Sequence, residues 1–488
     1  MGKKLILIAF LALVVFSAIY ALWDNREFTT SSDKAYQAFM DGESYRIKLY
    51  YRDALPEYEK AVKIDSNFAM AYCRIAELQS GFGDSVQARQ NLDKALALFP
   101  KITRKEQLLI QITQTNLGRD DYARNKYVEE FGKLYPDDIM THIYQATHYM
   151  GARDYDKAIT EYQKIIDKEP GYALGYNMLG YLNYYARNYD EALSSIKKYS
   201  IIAGQQANPH DSYGEILMYL GRYDEAIKEF ETANKIKPDL DFVLDHLAKA
   251  YREIGRYRDA IGYFERAKEF ARSEAFAGRE EEQIGYTLYL RGDNQQALDI
   301  FNDLSEKHPD WFSTPTYRGV VASGMGNYDI AEECVAYQDK LIREADSTNL
   351  GAMALNGMTV NKEVLLGKIA LDKGNYEDAI SHFKSATELT GLPDVIFCRF
   401  LLGRAYLKAG QLDQAEQVLT ENLNDNPMHT LTLLDLARVY QQKGETDNEK
   451  QMLLTYLSVM SGADDGIAAV ADARKMLDAI QTPESPIS

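Results

Sequence analysis

Cysteine is scarce: Cys73, Cys334 and Cys398 are the only three in 488 residues. They stand far apart and none has a CxxC partner, which argues against a disulfide framework or a zinc site. They read as small packing residues. The seven histidines, His142, His148, His210, His246, His308, His382 and His429, are equally scattered. His142 and His148 share a predicted helix but not a face, because six residues make about one and two-thirds turns. No HExxH, GxSxG or GxxxxGK[ST] occurs, so zinc-protease, serine-hydrolase and phosphate-cradling chemistry have no motif to stand on. Gly324-Met325-Gly326 looks like a fragment of a GxG loop but falls at a turn between helices. Carboxylates abound, but at turns and on solvated helix faces. No catalytic residue, no metal site and no cofactor is therefore expected. Positive charge is also short: 55 Lys and Arg face 73 Asp and Glu, a net of −18. That excludes nucleic acid and anionic lipid as ligands of the chain as a whole, since both need a basic surface. It permits neutral or basic peptide segments, and no small-molecule substrate is expected.

One long apolar run is present. Lys3 and Lys4 precede nineteen residues from Leu5 to Trp23 that carry no charge, close to the ~20 a membrane-crossing helix needs. A secretory signal has a shorter apolar stretch, and the best cleavage site, after Ala21, has Ile19 at its third position back. Residues 1–23 are thus read as an uncleaved signal anchor, with a cleaved signal as the alternative. No cysteine lies nearby to carry a lipid. The lysines stay inside and Asp24-Asn25-Arg26-Glu27 has no positive excess, so the bulk of the chain should lie outside the cytoplasm, as in a bacterial periplasm.

What the chain has in quantity is a repeat. Ala54, Ala88, Ala123, Ala158, Ala192, Ala226, Ala260, Ala297, Ala331, Ala379 and Ala415 recur with a spacing near 34, and Glu449 falls in register as a twelfth. Four residues after each marker comes an apolar or aromatic residue, such as Tyr58, Tyr162, Ile196, Phe230, Phe264, Phe301, Phe383 or Leu419. Twelve before stands Gly or Ala, as in Gly42, Gly180, Gly214, Gly285, Gly367 and Gly403; Gln111 is the exception. A small residue, a tight turn, a second small residue and a ring one turn later describe two antiparallel helices in close contact.

Residues 207–240 show the grammar. Gly214 lets the two helices approach. Gly221-Arg222-Tyr223 ends the first helix, with glycine supplying a left-handed residue. Asp224 and Glu225 favour the start of the second. Ala226, Phe230 and Ala233 share one face, and Pro238 ends the element. GRYRDAIGYFERA at 255–267 and GNYEDAISHFKSA at 374–386 repeat it. With these residues the chain resembles the tetratricopeptide repeat family over about 35–460. The resemblance implies an all-α, right-handed superhelical solenoid of about twelve helix-turn-helix units. The domains expected are an anchor at 1–23, a linker at 24–34, the solenoid at 35–460, a capping helix at 461–480 and a disordered tail at 481–488. Two long spacings mark insertions. The first, from Ala260 to Ala297, spans 37 residues; the second, from Ala331 to Ala379, spans 48 and holds Asp346–Glu363, which reads as a loop with one extra helical turn. Apart from these, Ile202–Asp211 reads as an irregular connector.

In this family the first helix of each unit lines the inner, concave wall. Mapped here, the wall positions are Asn177, Tyr181, Tyr184 and Tyr185, then Asp211, Glu215, Met218 and Tyr219. Asp245, Lys249, Arg252 and Glu253 follow, then Tyr286 and Tyr289. The resemblance implies that the first eight hold a partner segment: rings would grip apolar or basic side chains and carboxylates would add charge selection. Some members clamp an acidic peptide C-terminus with basic residues, but these positions carry acids, so that activity is not expected. The opposing reading is that the tyrosines pack between repeats. The function expected is a membrane-anchored, non-enzymatic protein-binding scaffold. The alternatives are a regulatory module of a neighbouring membrane enzyme or a helical-repeat hydrolase.

Overall fold

A computed structural model describes residues 26–347 and 352–481. Among these residues there are twenty-five α-helices and two short 3-10 turns, with no strand. They divide into two compact units, residues 1–141 and 142–488. The expected anchor at 1–23 and the tail beyond Gln481 lie outside the described residues. Among the described residues no helix is long and apolar enough to cross a membrane.

The repeat grammar becomes packing. Ten of the eleven alanine markers are buried, Ala123 being half-buried. A Cβ added to Gly214 would sit 2.7 Å from the Phe230 ring, and one added to Gly367 would sit 2.5 Å from Phe383. Each glycine is thus the seat of the ring sixteen residues later, which is why a side chain there is excluded. Gly221 and Gly255 adopt φ of +73° and +76° at the turns that follow, a conformation most residues avoid. The helix Tyr223–Ile236 stops just before Pro238.

Two connectors differ from expectation. The stretch from Asp346 to Glu363 is not mainly a loop: the helices Tyr328–Ser347 and Ala352–Asp372 run to 20 and 21 residues and include the described residues 346–347 and 352–363. Asn208-Pro209 does not sit in an irregular connector. It opens the helix Ala207–Tyr219, where proline's missing N–H has no partner to lose. One repeat also slips register. Gly319 receives Leu365 and Cys334 rather than Val335, which stays half-buried.

In the N-terminal unit, residues expected in a linker are held in place. Thr29 donates to Glu106 through its backbone N–H and hydroxyl at 2.8 and 2.6 Å. Thr30 Oγ1 donates to Asp65 at 2.6 Å, and the first helix already begins at Asp33. Glu43 accepts from Arg46, Arg74 and Tyr58. Burial opposes its charge, but Arg74 and Arg46 outweigh it and hold the carboxyl at about 2.

At the end of the described residues the helix Ala468–Gln481, with Ile467 just before it, lays Ile467, Val470, Ala473 and Met476 into a core shared with Leu433, Leu453 and Tyr456. Leu477 and Ile480 pack at its margin.

Candidate binding groove

Within the C-terminal unit, the first helices of successive pairs present one wall. The residue just after each small seat recurs there: Tyr181, Glu215, Lys249, Tyr286, Val320, Lys368, Arg404 and Arg438. Its chemistry changes along the chain, from rings and acids to cations.

The early part of this wall is filled by its own side chains. Tyr184 is 0% exposed and stacks on Tyr219 with centroids 5.1 Å apart. Tyr185 lies against Tyr155 at 5.6 Å, and Leu392 packs into the same cluster. Met218 and Asp211 are buried. Asn177, Tyr181, Tyr185, Glu215 and Tyr219 are half-buried. Tyr181 and Tyr219 both donate their hydroxyls to Glu215, which draws two adjacent repeats together through one carboxylate. Six of the eight expected residues, Tyr181, Tyr184, Tyr185, Asp211, Glu215 and Tyr219, are thus tied into one continuous network. Asn177 holds an unpartnered Oδ1, and Met218 belongs to the next core, with Leu217 and Phe230.

His246 extends this network. Its Nδ1 lies 2.9 Å from Asp211 Oδ1 and its Nε2 3.8 Å from Glu215. Burial alone would push the imidazole down, but Asp211 and Glu215 outweigh it and lift it to about 9. His429 is the opposite case. It is buried against Thr432, and burial with the Arg404 charge lowers it to about 4. The two histidines set opposite limbs of a stability profile. His246 binds its proton more tightly folded than unfolded, so its contribution is complete below about pH 6.5 and is lost as pH rises through 9. His429 stays neutral when folded, so its contribution holds above about 6.5 and is lost as pH falls through 4. The melting temperature should therefore peak near neutrality. His246→Gln should flatten the alkaline limb and leave the acid limb in place. An unchanged alkaline limb in that variant would refute the assignment.

The open part of the wall lies later. A groove of about 720 Å³ is lined by Lys368, Asp372, Arg404, Lys408, Asp435 and Arg438, with Tyr289, Tyr376, Gln441, Gln442 and Asp472 around them. The helices Ala352–Asp372, Val395–Lys408, Thr430–Lys443 and Ala468–Gln481 supply its length. Its charges form a ladder. Lys368 pairs with Asp372. Arg404 Nε and Arg438 Nη1 both reach Asp435, at 2.7 and 2.9 Å. Arg438 Nη2 continues to Asp472 at 2.7 Å. Lys408 is exposed at the rim. None of these groove residues was among the eight expected partner contacts. The signal was available: Lys368, Arg404 and Arg438 occupy the register of Tyr181 and Glu215, four and more repeats on.

Among the described residues no group of three or more His, Cys, Asp or Glu is placed to hold a metal ion. The geometry offers a lined trough with fixed charges, suited to holding an extended chain segment.

Models of the tetratricopeptide repeat match residues 145–207, 205–273, 283–310 and 370–431. These segments are tetratricopeptide repeats. They build an all-α solenoid, and tetratricopeptide repeats are in general protein-interaction scaffolds rather than enzymes. BBS4 of Bos taurus, described as a BBSome complex member, is 25% identical over 167 residues, which is 34% of this chain. The chain matches only 29% of that relative's length. Among solved structures, yeast Tom70 aligns with 93% of this chain and 97% of its own, at 14% identity and a TM-score of 0.39. A tetratricopeptide repeat protein from Parabacteroides merdae aligns with 56% and 98%, at 13% identity and a TM-score of 0.34.

Proposed function

We propose that this chain is a non-enzymatic scaffold that holds an extended segment of a protein partner in the groove between Lys368 and Met476. The observation that carries this is the groove itself: about 720 Å³ of open space along four consecutive first-position helices. Preformed walls leave most of the ordering cost to the partner. The half-buried residues Asn177, Tyr181, Tyr185, Glu215 and Tyr219 continue the wall and take a secondary share of the contact. The ladder of alternating Lys, Arg and Asp suits a partner carrying both signs of charge and exposed backbone groups, rather than a uniformly basic one. The apolar run Leu5–Trp23 supports a further part of the proposal, in which the scaffold is tethered to a membrane and works outside the cytoplasm. Under that arrangement the partner is another protein of the cell envelope.

Affinity capture from cells after crosslinking, with the full chain as bait, tests the groove. Lys408→Ala with Gln441→Ala and Gln442→Ala removes side chains that face the open space without touching a core. Losing ~1.4 kcal/mol of contact should reduce capture about tenfold, while helical melting stays within a degree or two. Undiminished capture by this variant would rule out the groove as the binding surface. Greater loss on Tyr181→Phe with Tyr185→Ala would move the main contact to the earlier wall.

A further inference from the structure

Late connections in the C-terminal unit lie against turns more than 200 residues earlier. Arg153 Nη2 donates to the Leu389 carbonyl at 3.2 Å, across 236 residues. Arg187 grips Asp425 through Nε and Nη2 at 2.7 and 2.9 Å, across 238 residues, and Tyr189 donates to the same carboxylate. Asn426 Nδ2 donates to the Tyr223 hydroxyl at 3.1 Å. Asp464 donates its N–H to the Gly255 carbonyl at 3.0 Å and accepts from the Arg258 N–H at 2.9 Å. Counted by the alanine markers, Ala192 to Ala415 is six repeats, and the long spacings before Ala297 and Ala379 supply most of the residues beyond six periods of ~34. Each late connection, after the second helix of its repeat, thus meets an inner turn five or six repeats back. The contacts form one continuous seam.

The seam has two kinds of grip. Toward Gly255 it is apolar. A Cβ on Gly255 would meet Met460 and Ala463 within 2.8 Å, and Tyr257 is buried in the core of the last helices. Toward Arg187 it is ionic. Asp425 is 3% exposed and takes Arg399 Nη1 at 2.6 Å as well as Arg187, whereas Arg187 keeps half its side chain in solvent. Burial works against the Asp425 charge, but its hydrogen bonds to Arg187, Tyr189 and Arg399 outweigh it and hold the carboxyl below its ordinary value. An apolar interface separates reluctantly. An ion pair with one solvent-facing member exchanges readily with water and salt.

We propose that this seam is a clasp, hinged on its apolar end and released at Arg187–Asp425 to admit a partner to the wall inside. The closed seam ties the two ends of the wall, Tyr181–Tyr219 and Lys368–Arg438, into one body. A folded or bulky partner then gains access only when the ionic end parts. The admission step rests on the groove reading given above; the opening of the seam does not.

Distances between nitroxide labels test the opening directly. Asp190→Cys and Asn424→Cys place labels at exposed positions on either side of the ionic end. The native thiols at Cys73, Cys334 and Cys398 are buried. The full chain should give one short, narrow distance at low salt. Arg187→Ala with Tyr189→Phe should add a longer population, raising the open fraction at least about fivefold. Arg187→Lys, which keeps the charge, should restore most of the short distance. Circular dichroism melting should fall only slightly, because Asp425 keeps Arg399 and reaches water once the seam parts. A mainly long distance in the unaltered chain, or an unchanged distribution in the double variant, would overturn the clasp. Faster crosslinked capture by the open variant supports admission. Opening with no change in capture rate would overturn admission while leaving the clasp. Loss of capture in the Lys408 groove variant at unaltered label distances separates a failed clasp from a failed groove.

Discussion

Replacing Phe230 with alanine should destabilise the repeats around it by about 3–5 kcal/mol, the range for emptying a buried aromatic site. The ring is fully buried and belongs to a core with Ala226, Leu247, Ala248 and Phe264. It also fills the notch left by Gly214 and lies 5.7 Å from the His246 ring. Collapse into the cavity is restricted. Gly221 fixes the turn on one side, and the Tyr223–Asn426 bond pins the start of the same helix. Ala226→Leu attacks this contact from the other direction and should cost about 1–3 kcal/mol by overpacking. Repeat arrays need not unfold in one step, so hydrogen exchange is the sharper measurement. Exchange should rise most between Ala207 and Glu269, since coupling in a solenoid runs mainly between neighbours. The seam adds a second, smaller rise near Asn426. A uniform rise throughout the chain would contradict nearest-neighbour coupling, and a loss below ~1 kcal/mol would mean the ring is not the anchor it is taken for.

Phe230 also illustrates how much of this fold is legible in the chain. A glycine, a turn, an alanine and a ring at fixed offsets have few packings, because helix geometry sets which residues share a face. The same rule locates the wall, since residues after Gly180, Gly214, Gly367 and Gly403 must face alike. What the rule does not give is which stretch of the wall stays open. Tyr184 and Tyr219 stack on each other, and Leu392 closes over their cluster. That depends on a connection some 200 residues away meeting them, which no local pattern encodes. Lys368, Arg404 and Arg438 share the register of Tyr181 and could have been read with it. The insertion before Glu363 departs from its sequence pattern for a related reason. Asp346–Glu363 reads as a loop by its composition, yet helix enters its described residues from both sides, as tertiary context does over weak local preference.

Asp435→Ala should be the most damaging single change in the groove. Asp435 is 1% exposed and receives both Arg404 and Arg438. Removing it leaves two guanidiniums facing each other without the carboxylate between them, Arg438 keeping only Asp472. Breaking a buried ion pair costs 3–5 kcal/mol in general. Here the lower end, about 3 kcal/mol, is expected, because each arginine keeps about a third of its side chain in solvent and can turn outward. Asp435→Asn retains the shape and an acceptor oxygen and should cost less. Adding Arg404→Leu to Asp435→Ala removes one orphaned cation and should recover part of the loss, the coupling that a double-mutant cycle measures. The recovered stability would not bring back binding. Arg404 would be gone and Arg438 would no longer be held by Asp435, so capture should stay about tenfold down even where folding is regained. Full recovery of capture in the doubly substituted chain would show that the ladder serves folding alone. Partial recovery of melting with capture still lost is the result that ties these charges to the partner.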